Sequence, residues 1–404
     1  MMKWSSTLAS LLPLTASWSL AEPCAPVPPD FSLTPAQPRG TRELPDPFVN
    51  VEGNRISKKS EWACRRSELA QLAQTYELGP IPGPPTSLDA SVVNNNQLII
   101  TIRVDSKTTN FTANITYPTT GTRPYPGFIV IGGSPSIPIP ANVARVNLPL
   151  DSLANFASSS RNIGRFFDLY GASHGAGTTA VGVWAVSRVI DAVSLAAKTG
   201  AVAIDPARLG VTGCSRNGRA ALAAGGFDER VALTVVQETG AGADSCYRLR
   251  DDDKPRYDVC NSVECPGTDQ GQARVFLDRF MNNPSGLPFD RHSVAALVAP
   301  RALLVLQDDL TFNQPRSSFQ CMGATKKVYE ALGVSERMAV SLRGGHELCK
   351  FPKEQQGLLD AYIGKFLLGE GGDVGETDVV EMNSSWLKPG DIRPAYSWRA
   401  PKLE

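Results

Sequence analysis

Residues 209–221 read Leu-Gly-Val-Thr-Gly-Cys-Ser-Arg-Asn-Gly-Arg-Ala-Ala. A β-prone run (Arg208, Leu209, Gly210, Val211, Thr212) meets a turn of small and polar residues, Gly213 to Gly218, and then an Ala/Leu-rich helical run. The pattern predicts strand, sharp turn and helix, with the Ser215 hydroxyl exposed at the apex. Turn amides and the positive end of the following helix suit an oxyanion there. The common nucleophile elbow is G-x-S-x-G. Here the second glycine falls one place late, at Gly218, so an ordinary strand-to-helix turn with a surface serine carries the same pattern.

Outward from this stretch, apolar runs bounded by turn residues recur. Phe128 to Ile131 ends at Gly132-Gly133, Val231 to Gln237 ends at Glu238, Ala302 to Gln307 ends at Asp308-Asp309, and Ala339 to Leu342 ends at Gly344-Gly345-His346. Each reads as a buried strand. Trp184 to Ala197 reads as a helix with Val186, Val189, Ile190 and Val193 on one face, and Ser57 to Leu78 as another, N-capped by Ser60. Leu98 to Val104 and Phe111 to Tyr117 flank the turn-like Asp105-Ser106-Lys107 and predict a hairpin. Strands alternating with helices from about Pro126 predict an α/β fold. It is a three-layer sandwich whose mostly parallel sheet carries antiparallel strands at one edge.

Active sites of open α/β sheets gather at the carboxyl ends of strands. Ser215, Glu238 and His346 fall there in the order serine, acid, histidine. A serine needs a base to take its proton, and a carboxylate fixes the imidazole that does so. The chain has three histidines. His346 follows a strand and two glycines late in the chain. His174 lies in a glycine-rich loop and is the alternative base, and His292 reads as a structural helix start. The acid is open between Glu238 and the pair Asp308 and Asp309, which ends the next strand.

Forty basic residues balance forty acidic ones among 404. That balance gives no reason to expect nucleic acid or an anionic membrane as partner. Residues 1–21 read as a secretory signal, with Lys3, the apolar run Leu8 to Leu14 and the small residues Ser19 and Ala21. That apolar run is too short to span a bilayer, and no other stretch is expected to. A Pro-rich arm is expected over 22–47, pinned by Cys24, and a single catalytic domain over 48–404. Eight cysteines in an exported chain favour disulfides. Asn110, Asn114 and Asn383 head glycosylation sequons. The scattered histidines offer no metal-ligand cluster, and no phosphate-binding loop is present, so neither metal nor cofactor is expected.

The residues resemble the fungal glucuronoyl esterases, secreted carbohydrate esterases of the α/β-hydrolase fold. The likeness runs through Asp46-Pro47-Phe48, Tyr76-Glu77-Leu78-Gly79, Val186-Ser187-Arg188-Val189-Ile190-Asp191, Val211 to Gly218, Gln237-Glu238-Thr239-Gly240, Leu287-Pro288-Phe289-Asp290 and Gly345-His346 with Cys349. It implies cleavage of the ester between a glucuronate of xylan and an alcohol of lignin. It implies Ser215 as nucleophile, Glu238 as acid, His346 as base and Arg216 on the oxyanion. It also implies disulfides Cys24–Cys64, Cys214–Cys349 and Cys246–Cys321, which leaves Cys260 and Cys265 to pair as a small extra loop. A monomer acting outside the cell is expected.

Four sugar contacts of the family are altered. Its lysine is Arg219, its tryptophan is Phe312, and its glutamine and glutamate fall at Glu264 and Gln272. Arg for Lys turns a point donor into a planar fork, and Phe for Trp loses the indole N–H. The chain therefore reads as a diverged member. The alternatives are a serine esterase for another uronate or acyl group, and a carbohydrate-binding pseudoenzyme.

Overall fold

A computed structural model describes residues 24, 27, 41–155, 162–240, 243–249, 284–374 and 381–404. Its described strands are β1 (Ser87–Val93), β2 (Gln97–Val104), β3 (Lys107–Thr116), β4 (Tyr125–Ile131), β5 (Ala144–Leu148), β6 (Ile204–Cys214), β7 (Val231–Gln237), β8 (Ala302–Gln307), β9 (Met338–Arg343) and β10 (Glu381–Asn383). They form one sheet in the order β1-β2-β3-β5-β4-β6-β7-β8-β9-β10. From β5 to β10 every pairing is parallel. β1, β2 and β3 pair antiparallel, and β3 joins β5 antiparallel. The expected hairpin is the β2–β3 pair, closed by Asp105-Ser106 between the partners Val104 and Lys107.

The described helices are α1 (Lys59–Ala73), α2 (Arg165–Tyr170), α3 (Thr178–Lys198), α4 (Ser215–Phe227), α5 (Arg291–Ala295), α6 (Pro315–Leu332) and α7 (Gln356–Ile363). Alternate strand residues feed two cores. Phe128, Val130, Leu233, Val235, Leu304 and Leu306 pack with Leu359, Tyr362 and Ile363 of α7. Ile129, Ile131, Val211, Val305 and Val340 belong to the larger core, with Trp184 of α3 and Ala220 of α4. A fully buried aliphatic side chain contributes roughly 1.5–3 kcal/mol, so two dry faces hold the central strands and fix the carboxyl ends from which the site is built.

Three expectations are corrected. α1 is capped at Lys58, not Ser60: the Glu61 carboxylate takes the Ser57 and Lys58 amides at 2.7 and 3.0 Å, which starts the helix two residues earlier. α3 begins six residues before Trp184 and, at 21 residues, is long and apolar enough to cross a membrane. Of its most apolar window 72% is buried inside the protein, as in a core helix. β1, β5 and β10 were not expected as strands, nor α6 as a helix.

The described part of the N-terminal arm is fastened to α1. Cys24 is bonded to Cys64, and the Val27 amide donates to the Gln71 side chain at 3.0 Å. The C-terminal tail crosses the same region, with Leu44 N–H on the Ala395 carbonyl and Lys59 N–H on the Glu404 carbonyl.

Candidate active site

β6 runs straight into α4. Cys214 is the N-cap and Ser215 the first helical residue, with φ at 54°. A serine in this left-handed region is uncommon, and such strain concentrates at functional sites. The late glycine has a packing reason. A Cβ on Gly218 would stand 2.5 Å from Thr239 Cγ2, and one on Gly213 would stand 2.6 Å from the Asn217 backbone. The turn therefore closes tightly around Ser215 with the glycine spacing found here.

Glu238 follows β7 directly, is 2% exposed and also has positive φ, 50°. Its Oε1 lies 3.8 Å from Nδ1 of His346. The same oxygen accepts from the Gln237 side-chain amide at 2.7 Å, and the other accepts the Cys349 backbone N–H. His346 is 13% exposed at the side chain. Its Nδ1 is also 3.0 Å from the Glu347 carbonyl oxygen. Both neighbours of Nδ1 are oxygen atoms able to accept, so Nδ1 carries the proton, and in the neutral ring the lone pair is then on Nε2. Nε2 is buried and has no hydrogen-bond partner among the described residues. That is the arrangement of an imidazole ready to act as base.

The Cys214–Cys349 disulfide joins residues 135 apart in sequence. It bonds the residue before Ser215 to the loop that carries His346. Cys349 thus holds the nucleophile's strand by its sulfur and Glu238 by its amide. Cys214, Glu238 and Cys349 bring ligand-type atoms together, but two sulfurs bonded to each other present no thiolate to a metal.

Of the alternative acids, Asp308 is fully buried and already committed: Oδ1 accepts the Leu310 amide at 3.1 Å and Oδ2 the Asn313 side chain at 2.7 Å. Burial and the neighbouring charge of Glu238 push its carboxyl up to about 7. Burial raises Glu238 as well, opposed by the Cys349 amide and the Gln237 side chain. Two carboxylates at one site do not both ionise readily. The amide donors on Glu238 favour its charged form, so Asp308 is the one to hold a proton. Behind them Asp244, also fully buried, is bridged by the Gln307 and Ser318 side chains at 3.0 Å each. Asp309 turns away. Its carboxylate takes Gly345, Ser384 and Ser385.

The other histidines stand apart from this cluster. His174 packs against Phe166 and Tyr170, and burial lowers it. His292 is fully buried with Nε2 on the Pro45 carbonyl at 2.9 Å, and burial lowers it to about 4. Arg216 is half-buried beside Ser215. Arg219 is 3% exposed, its Nε donating to the Thr239 carbonyl at 3.3 Å. Phe312 is 52% exposed on the loop after β8. Glu264, Gln272, Cys260 and Cys265 lie outside the described residues. Cys24–Cys64, Cys214–Cys349 and Cys246–Cys321 are bonded as the resemblance implied. The Gln237 side chain and the Cys349 amide had no signal in the sequence.

A family model described as "Glucuronyl esterase, fungi" matches residues 100–333. A 4-O-methyl-glucuronoyl methylesterase of Hypocrea jecorina is 40% identical over 384 residues, 94% of this chain and 79% of that protein. One of Schizophyllum commune is 41% identical over 92% of this chain and 94% of that protein. Among solved structures, the glucuronoyl esterase catalytic domain of H. jecorina superposes with a TM-score of 0.80 at 40% identity, covering 90% of this chain and 97% of that one. A serine-to-alanine mutant of the Sporotrichum thermophile glucuronoyl esterase, in complex with methyl 4-O-methyl-β-D-glucopyranuronate, gives 0.82 at 35% identity over 95% and 100%.

Proposed function

Since the chain belongs to the fungal glucuronyl esterase family, we propose that it is a serine esterase hydrolysing esters of glucuronic or 4-O-methyl-glucuronic acid. The observation that carries this is the His346 imidazole, with Nδ1 on the Glu347 carbonyl and 3.8 Å from the Glu238 carboxylate and with Nε2 unpartnered among the described residues, on a loop bonded covalently to the serine's turn. Ser215 Oγ attacks the ester carbonyl as Nε2 takes its proton. Amides at the start of α4 and the Arg216 guanidinium hold the oxyanion. Nε2 returns the proton to the departing alcohol, leaving an acyl-enzyme. Water, deprotonated by the same nitrogen, then releases the acid and restores Ser215. Glu238 stabilises the imidazolium in both steps.

We assign the sugar pocket to Arg219 and Phe312, together with Glu264 and Gln272. The substrate we assign is the ester linking glucuronoxylan to lignin alcohols. The disulfides support an exported, extracellular protein, because such bonds persist in oxidising compartments; we assign it as a monomer.

The test is hydrolysis of the benzyl ester of glucuronic acid by wild type and Ser215→Ala. Turnover lost in the variant is the expected result. A folded wild type without turnover, yet labelled at Ser215 by a serine-directed probe, would move the assignment to another acyl group. No labelling would end the esterase reading.

A further inference from the structure

The groups assigned above serve the acid half of the ester. The alcohol half departs beside His346, which must hand it a proton. Side chains fastened to the His346 loop are therefore candidates for contact with that alcohol.

Asp309 does the fastening. Its Oδ1 accepts the Gly345 amide at 3.3 Å, one residue before His346. Its Oδ2 accepts Ser384 Oγ at 3.0 Å, the Ser385 amide at 3.2 Å and Ser385 Oγ at 3.3 Å. Burial alone would raise this carboxyl, but those donors outweigh it and hold it below its ordinary value. Its backbone carbonyl accepts the Trp386 indole N–H at 2.9 Å. The Trp386 amide is bound in turn to Ser384 Oγ at 3.3 Å. The Gly344 amide donates to the Asn383 carbonyl at 2.8 Å, which joins the two loops a second time.

Trp386 is thus anchored through its one polar side-chain atom, while the indole as a whole stays 37% exposed. Among the described residues the exposed large hydrophobics are Val93, Ile163, Leu195, Phe312 and Trp386, and only Phe312 and Trp386 belong to the segments bound to Asp309 or to its loop. An aromatic face held rigid in water loses little freedom on binding, so stacking on it translates efficiently into affinity.

We propose that Trp386 is the stacking face for an aromatic alcohol on the leaving side of the ester. The assignment rests on the esterase reading above and adds to it the residue that selects the alcohol.

The test uses the benzyl and methyl esters of one uronic acid. On the Ser215→Ala protein, titration calorimetry gives the ratio of their dissociation constants without turnover. On the active enzyme, kcat/KM gives the same comparison up to acylation, the stage at which the alcohol is still present. Trp386→Ala should cut the preference for benzyl over methyl about fivefold in both measurements. Trp386→Phe, which keeps the ring and loses the N–H, should retain most of it, and Leu195→Ala should leave it unchanged. A preference unaltered by Trp386→Ala would overturn the proposal. So would an equal loss in the Phe variant, because the anchor and not the face would then be at work, and so would failure of the benzyl ester to bind more tightly than the methyl ester. Binding preference without turnover of either ester would count against the esterase reading alone.

Discussion

The backbone N–H of Cys349 donates to the carboxylate of Glu238 across 111 residues of sequence. The sulfur of the same cysteine is bonded to Cys214, next to the serine. One residue of the histidine loop therefore sets the distance to both other members of the site. The loop needs such ties: its only described strand neighbour beyond β9 is the three-residue β10.

Replacing Cys214 and Cys349 together by Ala should lower both stability and turnover. Closing a loop of this length is worth up to about 5 kcal/mol in the unfolded chain. Replacing Cys24 and Cys64 by Ala should lower the melting temperature and leave kcat/KM close to wild type, since that bond fastens only the arm to α1. Thermal melts beside ester kinetics check both; equal effects of the two pairs on kcat/KM would contradict the positioning role.

The two candidate acids are separable by amide substitution. Glu238→Gln should reduce kcat/KM on the order of a thousandfold, because an amide offers the imidazolium no charge. Measured below pH 7, Asp308→Asn should cost less than about tenfold, since it replaces a carboxyl that keeps its proton up to about 7. Steady-state kinetics on a uronate ester decide it, and the reverse ranking would make Asp308 the acid.

Asp308 also gives stability a pH dependence. Folded, it keeps its proton to about 7, against an ordinary 3.8. Between those values the folded state binds more protons than the unfolded one. The contribution is fully present below 3.8 and is lost as pH rises through 7. Melting temperatures of wild type and Asp308→Asn, taken from pH 4 to 8, should diverge in the variant's favour with rising pH. Parallel curves would mean that Asp308 does not titrate in this window.

Gly218→Ala tests the elbow itself. The added methyl meets Thr239 Cγ2, the Gly213 carbonyl and the Gln237 carbonyl at 2.5, 3.0 and 3.2 Å. Overpacking of this kind costs ~1–3 kcal/mol. Because both sides of the clash carry site residues, turnover should fall along with the melting temperature.

The parallel half of the sheet was legible because its strands are apolar on both faces and end at glycines or acids, as at Ile131 and Gln237. β1, β5 and β10 were not, for a common reason. β1 has every second residue in water, β5 is five residues long and β10 three, so each carries too little apolar signal and depends on its neighbours for pairing. Ser215 and His346 were legible from their places at strand ends. The choice of Glu238 over Asp308 was not legible from spacing alone, because both follow buried strands. What separates them is who donates to each carboxylate, a long-range matter: Cys349 reaches Glu238 from 111 residues away, while Leu310 and Asn313 occupy Asp308 locally.

Ser215 and Glu238 both sit in left-handed backbone, at φ of 54° and 50°. For a residue with a Cβ this conformation costs roughly 1–2 kcal/mol, and the packed sheet and α4 must absorb it at both positions. Heat tolerance and turnover are therefore opposed at these two sites: asparagine would relax either one and abolish the chemistry. A library screened for survival on heating alone would drift toward sturdy, inert proteins. Engineering of this scaffold has to seek its gains away from the ends of β6 and β7, or screen for activity at every round.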